Sequence, residues 1–249
     1  ADYRAEPGDL GAVQKLLSTI RPDVVVNLNA LTSVDRCEDA SAEAYEANVR
    51  TVEVLIKALA DSPTYLLQVS TDQVYSGKGP HNESNPRPGN VYALSKYAGE
   101  LACRGAHAGI LRTNLVGRSL SPDRMGFTDW LYQAFTHQEP LTLFEDVWFS
   151  PLHMEQLSLA LERVCLEQPR GVFNLGARTG TTKANFALEF AHALGLNPSS
   201  ASMGKLADES LRAPRPLDMR LDVCAFEQTM SFTLPDIDDV IKTSAADYC

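Results

Sequence analysis

Tyr92 and Lys96 stand four residues apart in the run Tyr92-Ala93-Leu94-Ser95-Lys96, the interval at which a helix stacks two side chains on one face. An ammonium beside a phenol favours the phenolate and draws its ordinary pKa of about 10 towards working pH, as a tyrosine acid–base group requires. Upstream, Ser70-Thr71-Asp72-Gln73-Val74-Tyr75 closes an apolar run that reads as a buried strand, and open α/β sheets carry their reactive groups at the carboxyl ends of strands. A hydroxyl at such an end can donate to a carbonyl oxygen as charge develops on it. Each feature alone has an ordinary structural explanation: an exposed lysine beside a half-buried tyrosine, or a hydroxyl bonded to its own backbone. Their order is harder to explain that way, with a strand-end threonine, then Tyr-x-x-x-Lys, then another strand.

The elements that must position these residues can be read from periodicity. Leu10, Val13, Leu16, Leu17 and Ile20 recur at helical spacing behind Asp9, a suitable N-cap, and Pro22 ends the helix. Asp23 to Ala30 is a short β-branched run of the kind found in a strand covered on both faces. Ser41 is placed to cap a second helix with Tyr45, Val52, Leu55, Ile56 and Leu59 on one face. A strand from Tyr65 to Ser70, a Gly- and Pro-containing loop, a helix from Tyr92 to Cys103 and a strand from Gly109 to Thr113 come next. Such alternation implies right-handed crossovers and a parallel sheet, an α/β, Rossmann-like doubly wound fold. Beyond Asn114 the rhythm breaks. Mixed sequence over 115–150 leads to a helix with Met154, Leu157, Leu161 and Val164 on one face. A strand over Val172 to Leu175, a helix from Phe186 to Leu194 and a stretch with Pro214 and Pro216 come after it. The expected division is a cofactor-type domain over 1–114 and a smaller C-terminal substrate region over 115–249, with 151–176 returning to the first domain.

Composition narrows the function classes. The 249 residues, 44% apolar and 22% charged, match a soluble globular protein. With 32 acidic against 22 basic residues, a net charge of -10 and no Lys/Arg cluster, a nucleic-acid partner is disfavoured. No window reaches the roughly 18 apolar residues of a membrane span and the polar start lacks a signal-peptide core, so the cytoplasm is the expected location and no membrane partner is expected. Cys37, Cys103, Cys165, Cys224 and Cys249 lack a Cys-x-x-Cys pair and read as reduced thiols, mostly core filler, with no metal site. His81, His107, His137, His153 and His192 are scattered and read as surface or capping residues.

The chain resembles the extended short-chain dehydrogenase/reductases, and within them the dTDP-4-dehydrorhamnose reductase branch. The resemblance rests on DVVVNLNALTSVDRCED, VSTDQVYSGKGPHNESNPRPGNVYALSKYAGE, ILRTNLVG and RPLDMRLD. It covers nearly the whole chain and implies a NAD- or NADP-dependent reductase of a nucleotide-activated 4-keto sugar. By position it implies Tyr92 as proton donor, Lys96 as its partner and ribose ligand, Thr71 as the hydroxyl on the substrate carbonyl, and Asn48 as a further member of the catalytic group. It puts Asn29, Ala30, Thr32 and Ser70 beside the cofactor, and Asp72, Asn114, Leu115 and Arg118 in the sugar pocket. Two departures matter. Asn29 stands where the branch keeps a small residue and Leu115 where it sets a Trp against the sugar, so the sugar need not be the rhamnose precursor.

Dinucleotide-binding folds open with a strand, a Gly-rich turn and a helix whose N-terminus holds the pyrophosphate. Gly8 and Gly11 precede a helix with no strand before them, Gly77 and Gly79 lead into a proline loop, and the glycines from Gly171 to Gly180 have the wrong spacing. Aligned with the branch, Ala1 falls after the glycine fingerprint. The fold is therefore expected to be N-terminally incomplete, with the Val24 to Leu28 strand as an open apolar edge. The chain as given is expected to bind NAD or NADP weakly or not at all, and pairing of that edge leaves homo-oligomerisation open. Two other readings share the fold. One is a non-catalytic regulatory or binding protein, such as the regulatory subunit of methionine adenosyltransferase, which GVFNLGARTGTT and RPLDMRLD also resemble. The other is a nucleotide-sugar epimerase or dehydratase, which needs further acid–base groups.

Overall fold

The computed structural model describes residues 3–121 and 124–249; Ala1, which the alignment with the branch puts after the glycine fingerprint, lies outside them. Helix α1 (Leu10–Ile20) starts at Asp9, whose carboxylate accepts from the Ala12 amide at 3.1 Å, and stops at Arg21 in the left-handed conformation. Strand β1 (Val24–Asn27) is next. The segment after it departs from expectation. Ser33 caps an unforeseen short helix, α2 (Val34–Asp39), while Ser41 is the first residue of α3 (Ser41–Tyr45), behind an Ala40 that offers no side-chain cap. Helix α3 continues through a π-helical turn, Glu46–Arg50, into α4 (Thr51–Ala58). A π turn inserts an extra residue and rotates the helix beyond it. The single apolar face is thereby broken, so that Val52 and Leu59 are buried while Tyr45 turns outward.

Strand β2 (Tyr65–Thr71), helix α5 (Val91–Ala102) and strand β3 (Ala108–Thr113) complete the first half. The second half runs β4 (Leu115–Val116), α6 (Phe127–His137), β5 (Leu141–Phe144), β6 (Trp148–Phe149), β7 (Leu152–His153), α7 (Met154–Glu167) and β8 (Gly171–Leu175). It ends with β9 (Thr181–Thr182), α8 (Lys183–Ala193), β10 (Ala201–Gly204), α9 (Cys224–Met230) and α10 (Ile237–Ala246). Strands β1, β2, β3 and β8 pair in that order, all parallel, so the chain returns to the first sheet after its excursion through β4 to α7. Strand β1 is an edge among the described residues. Beside it, Val13, Leu17 and Ile20 of α1 line an apolar groove of about 810 Å³.

Alternation along the strands feeds two cores. Leu66 and Ile110 join Val52 and Leu59 on one face of the sheet, with Leu17 and Leu55 packed against them. Leu67 and Leu111 face the other way, towards Phe173, Leu175, Phe186 and Val240. Each large side chain so buried contributes about 1.5–3 kcal/mol, enough to fix the register of the strands that carry the site. In α7, Leu157 and Val164 are buried as expected, but Met154 opens the helix and is exposed. Core filler describes Cys37 and Cys103 alone; Cys165 is half-buried, and Cys224 and Cys249 are exposed thiols. No helix among the described residues is long and apolar enough to cross a membrane.

Candidate functional site

The candidate site forms at the carboxyl ends of β1 and β2, against the first turns of α5. That helix start is pinned from two sides. The Asn90 side chain accepts from the Ala93 amide at 2.8 Å and donates to the Pro214 carbonyl at 2.9 Å, while the Glu38 carboxylate accepts from the Val91 amide at 3.0 Å. Two of the unpaired amides that every helix start leaves are thus satisfied, one of them by a segment far away in sequence. Tyr92 and Lys96 are therefore held on a fixed helix, and both are buried, at 7% and 5% exposure.

Tyr92 packs with Val34, Cys37, Ala44 and Ala213, and its phenol faces Thr71, itself buried at the end of β2. Burial pushes the Tyr92 phenol up to about 12, with the Thr71 hydroxyl pulling the other way. The Lys96 ammonium donates to the Val69 carbonyl at 2.7 Å, and burial brings it down to about 8 against the opposing influence of Glu100. The spacing predicts that Lys96 lowers the phenol; in the free protein burial instead raises it, and the ammonium is turned to the backbone of β2. The outcome is a phenol that keeps its proton at neutral pH, the state a proton donor needs.

The Thr71 hydroxyl donates to Asp72 Oδ1 at 3.2 Å and accepts from the Gln73 amide. Asp72 Oδ2 accepts from Asn114 Nδ2 at 2.6 Å. Burial raises Asp72 to about 6, opposed by its hydrogen bonds to Asn114 and Thr71 and by the nearby Lys183. Thr71, Asp72 and Asn114 thus form one hydrogen-bonded chain beside Tyr92.

Asn48 sits inside the π turn at 1% exposure. Its Oδ1 accepts from the Leu31 amide at 2.8 Å, and its Nδ2 donates to the Leu31 carbonyl at 3.1 Å and to Ser95 Oγ at 2.9 Å. Ser95 in turn donates to the Tyr92 carbonyl at 2.8 Å. One amide therefore ties the loop after β1 to the helix of Tyr92 and Lys96. The approach is close: a Cβ on Gly99 would lie 2.4 Å from the Asn48 carbonyl oxygen.

Other expected residues are placed differently. Ser70 spends its hydroxyl on Glu100, which forms a buried ion pair with Arg112 at 2.6 Å; adjacent strand residues face opposite ways, so Ser70 looks away from Thr71. Arg118 donates from its amide and its guanidinium to Asp247 and lies over the Tyr248 ring, which ties it to the C-terminal end rather than to Asp72 and Asn114. Leu115 is exposed on β4. Asn29, Ala30 and Thr32 line the loop after β1, with Asn29 donating to Thr51 at 3.2 Å. Sequence reasoning missed Ser95, although it lies within the Tyr92 to Lys96 run, and it missed Lys183. Nothing in the local sequence marks Lys183; packing over the Phe127 and Phe149 rings brings it near Asp72.

Comparison with known proteins adds to this geometry. The sequence profile described as RmlD substrate binding domain matches residues 4–249. The dTDP-4-dehydrorhamnose reductase of Escherichia coli K12 is 29% identical over 250 residues, spanning 94% of this chain and 83% of its own. Among solved structures, the dTDP-4-dehydrorhamnose reductase of Bacillus anthracis in complex with NADP superposes with a TM-score of 0.89 at 21% identity, covering 97% of this chain and 86% of that one. The dTDP-glucose 4,6-dehydratase DesIV of Streptomyces venezuelae, with NAD bound, gives 0.81 at 20% identity over 98% and 78%. At these identities the structural likeness speaks for the Rossmann-type α/β fold.

Proposed function

The chain belongs to the RmlD substrate binding domain family, and from that premise we propose that it reduces the keto group of a nucleotide-activated 4-keto sugar with a nicotinamide cofactor, Tyr92 giving the proton. The observation that carries this reading is the meeting of Tyr92 and Thr71, with Lys96 one turn along the same helix, all three buried where β2 ends.

The substrate carbonyl oxygen takes a hydrogen bond from Thr71, whose present bond to Asp72 is long enough to exchange. Tyr92, protonated at neutral pH because of its burial, transfers its proton to that oxygen. The phenolate left behind is stabilised by the Lys96 ammonium one turn along. Asp72 and Asn114, already bonded to each other, take the sugar hydroxyls. A bound NAD or NADP supplies the hydride. The residues present fit its nicotinamide-ribose end: Lys96 can donate three hydrogen bonds and uses one on Val69, and the loop bearing Asn29, Ala30 and Thr32 leaves the carboxyl end of β1, the strand paired with β2. Asn48 and Ser95 act as positioning residues that hold this loop and α5 in one arrangement.

The test is isotope transfer from NADH or NADPH deuterated at the nicotinamide C4 to dTDP- or UDP-linked 4-keto-6-deoxy sugars, read by NMR. Deuterium at the sugar C4 is the expected result. Absence of transfer to every such sugar, at cofactor concentrations where binding has been verified, overturns the reading.

A further inference from the structure

Arg118 has no part in the proposed reaction, yet several segments of the second half converge on the backbone around it. Its amide donates to Asp247 Oδ2 at 2.9 Å, and its guanidinium donates to the Asp247 carbonyl at 3.1 Å and lies over the Tyr248 ring. His153, buried at the start of α7, joins the same carboxylate oxygen through Nε2 at 2.9 Å. Its Nδ1 accepts from the Glu155 amide, so the ring proton sits on Nε2 and is donated to Asp247. The ring abuts Gly117, where an added Cβ would come within 3.1 Å of it and where φ is +131°, a conformation natural to glycine.

Tyr248 acts from the other side. Its hydroxyl donates to Asp129 Oδ1 at 2.7 Å, while its ring stacks on Tyr132 and meets Phe190 edge-on. The Asp129 carboxylate in turn accepts from the amides of Ser119 at 3.1 Å and Gly126 at 2.8 Å. Thr128, fully buried, accepts from the Gly117 amide at 3.3 Å and donates to its carbonyl at 2.9 Å. From Gly117 to Ser119 each amide is thus bound to a side chain. Two of the three depend on the residues just beyond α10: Arg118 directly on Asp247, and Ser119 on the carboxylate that Tyr248 steadies.

This stretch leaves β4 directly after the site. Asn114, bonded to Asp72, precedes β4, and its carbonyl accepts from the Leu152 amide at 2.9 Å. Strands β4 and β7 pair only through Leu115 with Leu152 and Val116 with His153, a ladder too short to hold itself without outside support. We infer that Asp247 and Tyr248 form a latch which, through Arg118, His153 and Asp129, fixes the exit of β4 and with it the placement of Asn114 against Asp72. Both are positioning residues that act through Asn114. The consequence for the sugar rests on the proposed function; the latch itself rests on these bonds.

Amide exchange in Asp247→Ala, Asp247→Asn and Tyr248→Phe reads the latch without substrate or cofactor. In Asp247→Ala the Arg118 and Leu152 amides should exchange about fivefold to tenfold faster, the loss of one hydrogen bond, while the amides of β2 and β3 keep the parent rates. Asp247→Asn retains an acceptor oxygen and should restore both. Tyr248→Phe keeps the ring and loses the hydroxyl, so Ser119 and Gly126 should exchange faster. With a dTDP- or UDP-linked 4-keto sugar, Asp247→Ala should raise the sugar KM about tenfold at unchanged kcat and cofactor KM, because a misplaced Asn114 weakens the bound sugar and the transition state alike. Parent-like protection of Leu152 in Asp247→Ala, or a sugar KM within about twofold of the parent's, would overturn the latch. A parent chain that turns over no 4-keto sugar removes the proposed reaction, and Leu152 exchange then decides the latch by itself.

Discussion

Replacing Asn48 by Ala removes three hydrogen bonds that no other side chain can supply: two to the Leu31 backbone and one to Ser95. Each is worth about 1 kcal/mol net, and groups left buried without a partner cost more, so a loss of about 3 kcal/mol is expected. The loss should appear as a lower urea midpoint at constant slope, since the surface exposed on unfolding is unchanged. A general loss of packing would do the same, so amide exchange is the discriminating readout. The Leu31 amide should lose its protection while the amides of β2, held within the sheet, keep theirs. Because the loop after β1 and helix α5 would then move independently, kcat should fall more than KM rises. A destabilisation below about 1 kcal/mol, with the Leu31 amide protected as in the parent, would refute the role assigned to Asn48.

Gly99→Ala brings a Cβ to 2.4 Å from the Asn48 carbonyl oxygen and should destabilise by about 1–3 kcal/mol, read as a lowered melting temperature; parent-like stability would show that the π turn yields freely. Glu100→Gln leaves the Arg112 guanidinium buried beside a neutral amide and should cost about 3–5 kcal/mol in denaturant unfolding. Lys96 has a folded pKa of about 8, below its ordinary 10.5. Its useful charge is lost as pH rises through about 8, so kcat/KM should decline there, and the decline should move to higher pH in Lys96→Arg. The linked stability runs the other way: between about 8 and 10.5 the folded state binds fewer protons than the unfolded chain, so stability should rise with pH across that window.

Much of this site could be read from the residues themselves because local signals agreed. Helix α5 has a periodic apolar face and the parallel strands are mostly β-branched or apolar, so the ends of β2 and α5, and with them the positions of Thr71, Tyr92 and Lys96, were directly legible. The π turn was hidden, since the same apolar spacing is compatible with a continuous helix. The turn is selected at long range, by Asn48 reaching Leu31 and Ser95 and by Gly99 admitting the Asn48 carbonyl. Ser70 and Arg118 were drawn into the site by position along the chain, yet their partners Glu100 and Asp247 come from distant segments. The direction in which Lys96 and Tyr92 titrate depends on how deeply the fold buries them, which spacing on a helix does not contain.

The central claim, that Tyr92 gives the proton, is tested most directly by Tyr92→Phe assayed for turnover of a dTDP-linked 4-keto sugar with saturating cofactor. Only the hydroxyl is removed, so the fold and the melting temperature should persist while kcat drops by about 10²–10⁴. A kcat within about twofold of that of the parent chain would contradict the account.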